Sequence, residues 1–366
     1  MTNRAEAIID LSAIRANVAL LKARAGVDLM AVVKADAYGH GLVPVAKAAL
    51  EGGANWLGVA LLEEAITLRK AGVTAPILAW LVPPGSDFKS AVDSDIDIAV
   101  SSIKALEEVG AVAGSKRPRV HLEVDTGMTR GGFLSEWNQI DAHHVQGVEI
   151  IGIFSHFARS DEPGQPQNLE QLARFKEMVA TLESFGYTKI IRHLSNSAAT
   201  LLDPASAFDM VRTGIAMYGL SPDVKTLGDS KKLSLKPAMA MRAKLHLVKD
   251  VPAGLPVGYG ATEVTRADTK LGLVAMGYGD GIPRSARNAG IFFNGKRAPI
   301  IGRVSMDQFV VDLGATSTAQ SGDWVSIFGS GLGGEYTADD WASAAGSINY
   351  EIVTRIGPRV PRLYEL

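Results

Sequence analysis

The segment AVVKADAYGHG (residues 31–41) places Lys34 directly behind a short apolar run. An ammonium held there loses much of its hydration and must be paired or made neutral. A neutral amine is both a base and a nucleophile, the form that bonds covalently to an aldehyde. Boundaries of the same kind, where an apolar run gives way to a turn, carry Arg130, His156, Asn196, Ser197 and Arg212, and Tyr38 follows Lys34 by one helical turn's length of chain. Taken singly, each has an ordinary explanation. A lysine behind a strand is commonly a solvated loop residue, and a histidine is commonly hydrogen-bonded packing. As a set they are polar groups recurring where a hydrophobic frame needs none. SNSAA sets Ser197 at a helix start, and RTGI offers the backbone N–H groups of Gly214 and Ile215, with Gly214 permitting close approach. With Tyr38 these make an anion site. A phosphate site beside a desolvated lysine points to pyridoxal 5′-phosphate.

These residues need a frame. The runs VDLMAVVK, WLGVA, PILAW, IDIAV, RVHLEV, EIIGIFSH, IIRHLS and DMVRTGI alternate with amphipathic stretches such as ALLEEAITLRKAG, SIKALEEVGAVAG and NLEQLARFKEMVATLESFG. Continuous apolar runs suit parallel strands buried on both faces and joined by crossover helices. Gly72, Gly114 and Gly186 stand where helix C-caps belong. Eight such units over residues 8–230 fit an α/β fold of the (β/α)8 type, a TIM-like barrel whose chemistry sits at the C-terminal strand ends. A doubly wound open sheet is the other arrangement these runs allow. The polar SPDVKTLGDSKKLSLKP reads as a linker, and the strand-rich remainder, residues 235–366, reads as a mostly β domain. The first few residues are expected to pack on that domain.

Composition narrows the function. The 366 residues carry a net charge of −2, which gives no electrostatic case for nucleic acid or an anionic membrane. No cysteine is present, so disulfides, thiolate metal sites and a cysteine nucleophile are excluded, and nothing in the pattern calls for a metal. The N-terminal MTNRAEAIIDLSAIRANV lacks the long apolar core of an export signal, so a cytoplasmic protein is expected.

The motifs AVVKADAYGHG, EVDTGMTRGG, FSHFARSDE, HLSNSAAT, VRTGIAMYG, VGYGATE, MGYGDG and GRVSMDQ together resemble the alanine racemase family, fold-type III pyridoxal phosphate enzymes, in order and over nearly the whole chain. The resemblance implies interconversion of L-alanine and D-alanine, supplying D-alanine for peptidoglycan. Lys34 would hold the cofactor and act as the base on one face of the substrate Cα. Tyr259, reaching the partner subunit's site in a homodimer with shared active sites, would be the base on the other face. Tyr38, Asn196, Ser197, Gly214 and Ile215 would bind the cofactor, mainly its phosphate. Arg212 would meet the pyridine nitrogen, and His156 would link Arg212 to Tyr259. Arg130 would contact the cofactor phenolic oxygen and the substrate carboxylate, and Tyr278, Met306 and Asp307 would line the substrate pocket.

Four positions depart from the family's pattern. Glu123 stands where many members carry a carbamylated lysine, and as a ready-made anion it is expected to orient Arg130. Pro358 replaces a tyrosine before the final RVPR, Asp36 replaces a common asparagine, and Ser305 replaces a frequent cysteine. Three other functions fit parts of the pattern: a racemase of serine, lysine, arginine or a broader range; a decarboxylase on the same fold; and a non-enzymatic cofactor carrier. The decarboxylases use a cysteine acid that this chain lacks, and the carriers lack a β domain.

Overall fold

All eight apolar runs become parallel strands of one sheet in the computed structural model, which describes residues 3–140 and 147–366. After β1 (Ala5–Asp10), which belongs to another sheet, come β2 (Asp28–Val32), β3 (Trp56–Val59), β4 (Ile77–Ala79), β5 (Asp97–Val100), β6 (Arg119–Glu123), β7 (Glu149–Phe154), β8 (Ile191–His193) and β9 (Met210–Thr213). Their order is β8-β7-β6-β5-β4-β3-β2-β9, so the last strand returns to pair with the first. Between β8 and β9 the ladder is replaced by two backbone bonds, Asp209 N–H to the Arg192 carbonyl (3.1 Å) and Arg212 N–H to the Ser195 carbonyl (2.9 Å). The sheet is therefore a nearly closed barrel and not a doubly wound one. Met30, Leu78, Ala99, Phe154 and Met210, each from a different strand, meet in its core, with Trp56, Trp80 and Ile191 packed against them.

The chain divides into two units. One comprises Ile14–Ala37 and Leu42–Leu235, the barrel. The other takes the N-terminal stretch to Ala13, Tyr38–Gly41 and Lys236–Leu366. Its strands are β1 with β10 (Met239–Val251), β11 (Pro256–Val257), β12 (Glu263–Val264), β13 (Thr269–Val274), β14 (Gly290–Phe293), β15 (Lys296–Pro299), β16 (Phe309–Asp312), β17 (Trp324–Phe328) and β18 (Arg362–Glu365). Eight of them form a mostly antiparallel sheet around the long β10, while β11 and β12 make a separate small hairpin. The first seven residues of β10 alternate between buried and half-buried, the signature of a strand with one face on a core.

Two sequence expectations are corrected. Gly72 and Gly186 follow their helices with positive φ, but Gly114 does not cap one: its helix, Ile103–Gly110, ends four residues earlier. Gly110 weakens the helix there, and the backbone at Gly147 packs within van der Waals range of the site a Cβ would take. The polar linker is also not bare. It contains a helical turn, Val224–Leu227, and buries Leu227, Leu233 and Leu235 together with Ser221 and Ser230, so three leucines anchor a segment that reads as polar.

The turn after Lys34 has an uncommon backbone. Ala35, Asp36 and Ala37 all hold left-handed helical angles (φ 53, 53 and 52), and Tyr38 keeps φ 53. Each such residue costs roughly 1–2 kcal/mol when it is not glycine. Named hydrogen bonds offset the strain. Ala35 N–H donates to Glu64 Oε1 (2.6 Å), Ala37 N–H to the Val33 carbonyl (2.9 Å), and Asp36 Oδ1 accepts from Leu42 N–H (2.8 Å) at the start of helix Leu42–Glu51. Asp36, unexplained by sequence, satisfies an orphan donor at a helix N-terminus, where its charge also suits the dipole. Asp36→Ala is expected to lower barrel stability by about 1 kcal/mol, as loss of an N-terminal cap does, with Asp36→Asn retaining most of it. Urea unfolding of the two variants checks this, and equal midpoints for Asp36→Ala and the parent would contradict it.

Candidate active site

Lys34 sits just beyond β2, whose backbone hydrogen bonding continues one residue further, from Val33 N–H to the Gly58 carbonyl (2.8 Å). Its ammonium lies 5.8 Å from the centre of the Trp80 ring. Burial lowers its pKa from the usual lysine value, the Arg130 charge lowers it further, and Glu64 opposes both. This is the direction a lysine base requires near neutral pH. Glu64 Oε2 also takes the N–H groups of Ala60 (3.0 Å) and Leu61 (3.1 Å), so one carboxylate caps helix Leu62–Lys70 and steadies the turn behind Lys34. Nothing in the sequence marked Glu64; a glutamate in a first helical turn is commonplace.

Arg130 is presented by the DTGM loop after β6. Asp125 Oδ1 accepts from the N–H groups of Gly127 (2.8 Å), Met128 (3.1 Å) and Thr129 (3.1 Å), which winds the loop tightly. A single bridge then pairs Phe133 N–H with the Glu123 carbonyl (2.8 Å) and Asp125 N–H with the Phe133 carbonyl (2.9 Å). Gly132 is required here, because its φ is 107 and a Cβ would stand 2.6 Å from the Asp125 nitrogen. The Glu123 carboxylate lies beside Gly131, within 3.4 Å of where a Cβ would be. Burial raises its pKa while Arg130 and Arg212 pull it down. Among the described residues no hydrogen bond or ion pair joins Glu123 to Arg130, so the two interact through space only.

Arg212, on β9 and buried, makes the densest set of contacts. It donates to the carbonyls of His193 (2.6 Å), Ser155 (2.7 Å) and Leu194 (3.2 Å), and approaches His193 Nδ1 (3.1 Å) and His156 Nδ1 (3.3 Å). Burial lowers even this guanidinium's pKa, to about 10. His156 is pushed down to about 3 by burial first, then by the charges of Arg212, Arg130 and Lys34. Gln171, fully buried and not picked out from sequence, donates to the His156 carbonyl (2.9 Å) and accepts from Ala158 N–H (2.9 Å), which fixes the loop carrying His156.

At the next strand end the helix cap is Asn196 rather than Ser197. Asn196 Oδ1 accepts from Ala199 N–H (3.1 Å) and from Ser160 Oγ (2.8 Å). Ser197 Oγ, in the first helical turn, takes Gly214 N–H (2.9 Å) and Ala216 N–H (3.4 Å), which ties the SNSAA and RTGI segments together. Ile215 is buried beside them.

The second unit holds the other predicted residues. Burial pushes Tyr38 up to about 12, and its ring centre lies 6.2 Å from that of Tyr350. Tyr259 is 69% exposed, on a tight turn carried by the β11–β12 hairpin and flanked by Gly258 and Gly260 at positive φ. Tyr278 and Met306 come from two loops joined through their backbones, Tyr278 N–H to the Ser305 carbonyl (3.0 Å) and Gly279 N–H to the Met306 carbonyl (2.8 Å). Asp280 is the hub of these loops. It is fully buried, pairs with Arg4 (2.5 Å) and Arg359 (3.1 Å), and accepts Gly277 N–H (3.0 Å). Arg359 in turn holds Asp307 Oδ1 (2.6 Å). Asp280 and Arg359 were missed as site residues because their partners are remote in sequence. Pro358, beside Arg359, is exposed.

At the barrel's C-terminal strand ends the Arg130 charge adds to burial in depressing both Lys34 and Arg212, and Glu123 is the acid that bears on the two arginines. Such an excess of positive charge in a desolvated place is a receptor for an anion. With a lowered lysine beside it, the donor set fits a phosphate-bearing aldehyde cofactor. A barrel with its chemistry at the C-terminal strand ends, in a chain that also folds a β-rich unit, defines a two-domain barrel enzyme.

The sequence model of the alanine racemase N-terminal domain matches residues 9–222, and that of the C-terminal domain matches residues 238–364. The chain is 50% identical to an alanine racemase of Salinispora tropica, over 99% of this chain and 98% of the relative, and 46% identical to one of Mycobacterium avium, over 98% and 95%. Among solved structures it is similar to an alanine racemase from D-cycloserine-producing Streptomyces lavendulae (TM-score 0.97, 48% identity, 100% and 98% of the two chains). It is also similar to one from Bacillus anthracis with bound L-Ala-P (TM-score 0.89, 35% identity, 100% and 96%). The chain belongs to the alanine racemase family, a family of isomerases.

The buried histidines make stability depend on pH. His121 and His156 are depressed to about 3 and His193 well below its ordinary value of 6.5, in each case chiefly by burial. Below pH 6.5 the unfolded chain therefore takes up protons that the folded chain refuses, and stability falls as pH falls. Asp97, raised to about 6 by burial, has the opposite sign and recovers part of the loss, and the raised Glu123 acts in the same direction as Asp97. Three histidines against Asp97 give a net loss of about 3 kcal/mol between pH 7.5 and 5.5, reduced somewhat by Glu123. Urea unfolding at the two pH values measures it, and equal or greater stability at pH 5.5 would contradict the assignment.

Proposed function

We propose that this protein interconverts L-alanine and D-alanine with pyridoxal 5′-phosphate, by two bases on opposite faces of the substrate Cα. The observation that carries this reading is the convergence of a pKa-lowered Lys34 with Arg130, His156 and Arg212 at one end of the barrel. Lys34 would hold the cofactor, whose ring would supply an electron sink for the substrate Cα–H bond.

Lys34 moves the proton on one face. The partner subunit's Tyr259 moves it on the other. Lysine and tyrosine have reference pKa values both near 10, so either can serve as acid or base once its environment tunes it. Ser197 with the Gly214 and Ile215 segment, joined by Tyr38 and Asn196, holds the phosphate. Arg130 takes the substrate carboxylate, and Tyr278, Met306 and Asp307 line the substrate pocket. Exposure of Tyr259, Tyr278 and Met306 in the single chain supports their service to a second copy, and so a homodimer with shared sites.

Arg212 meets the cofactor ring nitrogen. Even lowered to about 10 by burial, its guanidinium keeps its proton near neutral pH, so the ring nitrogen of a bound cofactor would stay unprotonated and draw electrons less strongly. An arginine there would favour return of the proton to Cα over transamination, in which the amino group passes to the cofactor and water releases pyruvate. Glu123 contributes negative charge near Arg130 in place of a carbamate. On this reading the D-alanine formed would supply the cell wall, and the protein would act in the cytoplasm.

Mixed dimers test the arrangement. Lys34→Ala and Tyr259→Phe proteins are each expected to lose at least about a hundredfold in alanine racemisation, read as formation of the deuterated opposite enantiomer in D2O with pyridoxal phosphate present. When the two are unfolded together and refolded, half of the dimers are mixed and each carries one intact site, so activity should return to about a quarter of the parent level. No recovery would place both bases in one chain. Exchange with serine, lysine or arginine and none with alanine would change the substrate and keep the mechanism.

A further inference from the structure

The barrel contains a line of polar rings that the reaction above does not use. Arg212 on β9 reaches His193 Nδ1 on β8 (3.1 Å), and His193 Nε2 lies 2.8 Å from His121 Nδ1 on β6. Both histidines are fully buried, and their rings meet edge to face at 5.0 Å. His193 stacks on Phe154 (5.0 Å, 10°), over which the Arg212 guanidinium also lies (5.4 Å). His121 packs edge to face on Trp56, and its Nε2 meets no hydrogen-bond partner among the described residues.

Donor and acceptor roles along this line follow from the arginine. A guanidinium only donates, so His193 Nδ1 must accept. A neutral His193 then carries its proton on Nε2 and donates to His121 Nδ1. His121 must therefore carry its own proton on Nε2. A second proton on either ring would set two donors face to face. The charges that bear on the two rings, Arg119 and Arg212 on His121 and Arg212 on His193, disfavour such a proton. The fold also makes room for the arrangement. Gly152 on β7 is the cross-strand partner of His121, and a Cβ there would collide with the His121 ring.

We propose that His193 and His121 are positioning residues for Arg212, with tautomers fixed from the arginine outward so that its guanidinium keeps one orientation towards the cofactor ring nitrogen. The proposal rests on the reading of Arg212 given above. It accounts for two imidazoles, one with a buried unpaired N–H, in a barrel core that apolar side chains would otherwise fill.

The test uses the full chain labelled with ring-15N histidine, with and without pyridoxal phosphate. The rings of the seven histidines are assigned through His121→Gln and His193→Gln. Both rings should show a protonated Nε2 and a bare Nδ1, unchanged from pH 5.5 to 8.5. An Nδ1–H on either ring, or titration within that range, overturns the proposal. Arg212→Gln should release the tautomers into a mixture, and a single tautomer persisting there also overturns it. His121→Phe should lower kcat for alanine about tenfold with KM within twofold, and raise the ratio of pyruvate to D-alanine. His121→Gln, whose amide oxygen can accept from His193, should restore most of the loss. If His121→Phe does not fold, Gly152→Ala displaces the same ring without removing it and should show the same split. Parent-like kcat and product ratio in the variant that folds would reduce the line to packing. A parent protein that neither binds the cofactor nor racemises alanine would sink the proposed function, while the nitrogen spectra would still decide the tautomers.

Discussion

Uncompensated positive charge in a desolvated place governs the barrel. Lys34, Arg130 and Arg212 gather at the ends of strands that apolar residues would otherwise close, and Glu123 is the acid that bears on the two arginines. Several other features follow. The lysine is driven towards its neutral form. His156 and His193 stay neutral chiefly because burial disfavours a charged ring, and a proton on either would also add to the same repulsion. The Arg212 guanidinium takes three carbonyl oxygens as well as two imidazoles, since neutral acceptors can solvate a buried cation without a buried counter-ion.

Holding such a site open requires backbone that does not relax. The segment after Lys34 spends four residues in left-handed angles, and the loop after β6 is wound around a single Asp125 oxygen. Strain of this kind persists where neighbouring structure over-determines it. Glu64 and Asp36 do so on one loop, and the return of Phe133 onto the strand end does so on the other. The second unit solves a similar problem with charge. Asp280 binds two arginines, one of which grips Asp307, so the GYGD and SMDQ loops are set as one piece.

Amino-acid order by itself determined the alternation of buried runs and amphipathic stretches, because strands covered on both faces must be continuously apolar. It also determined which residue types stand at the strand ends, and the motif order made the family legible. Lys34 stood out because a charge beside VVK conflicts with its surroundings, whereas Tyr259 and Met306 lie in loops that could pass as ordinary turns and were visible only through the resemblance. What the tertiary structure alone decided are the partnerships. Asn196 and not Ser197 is the cap, Asp36 serves a helix it precedes, Leu227, Leu233 and Leu235 bury a segment that reads as a polar linker, and Arg212, His193 and His121 form one line. The hydrogen-bonded pairs among these depend on distances near 3 Å between groups 3 to 72 positions apart in the chain. Pattern and propensity report how a residue suits its local element. Which donor meets which acceptor is fixed only when the barrel closes and brings β6, β8 and β9 around the same core.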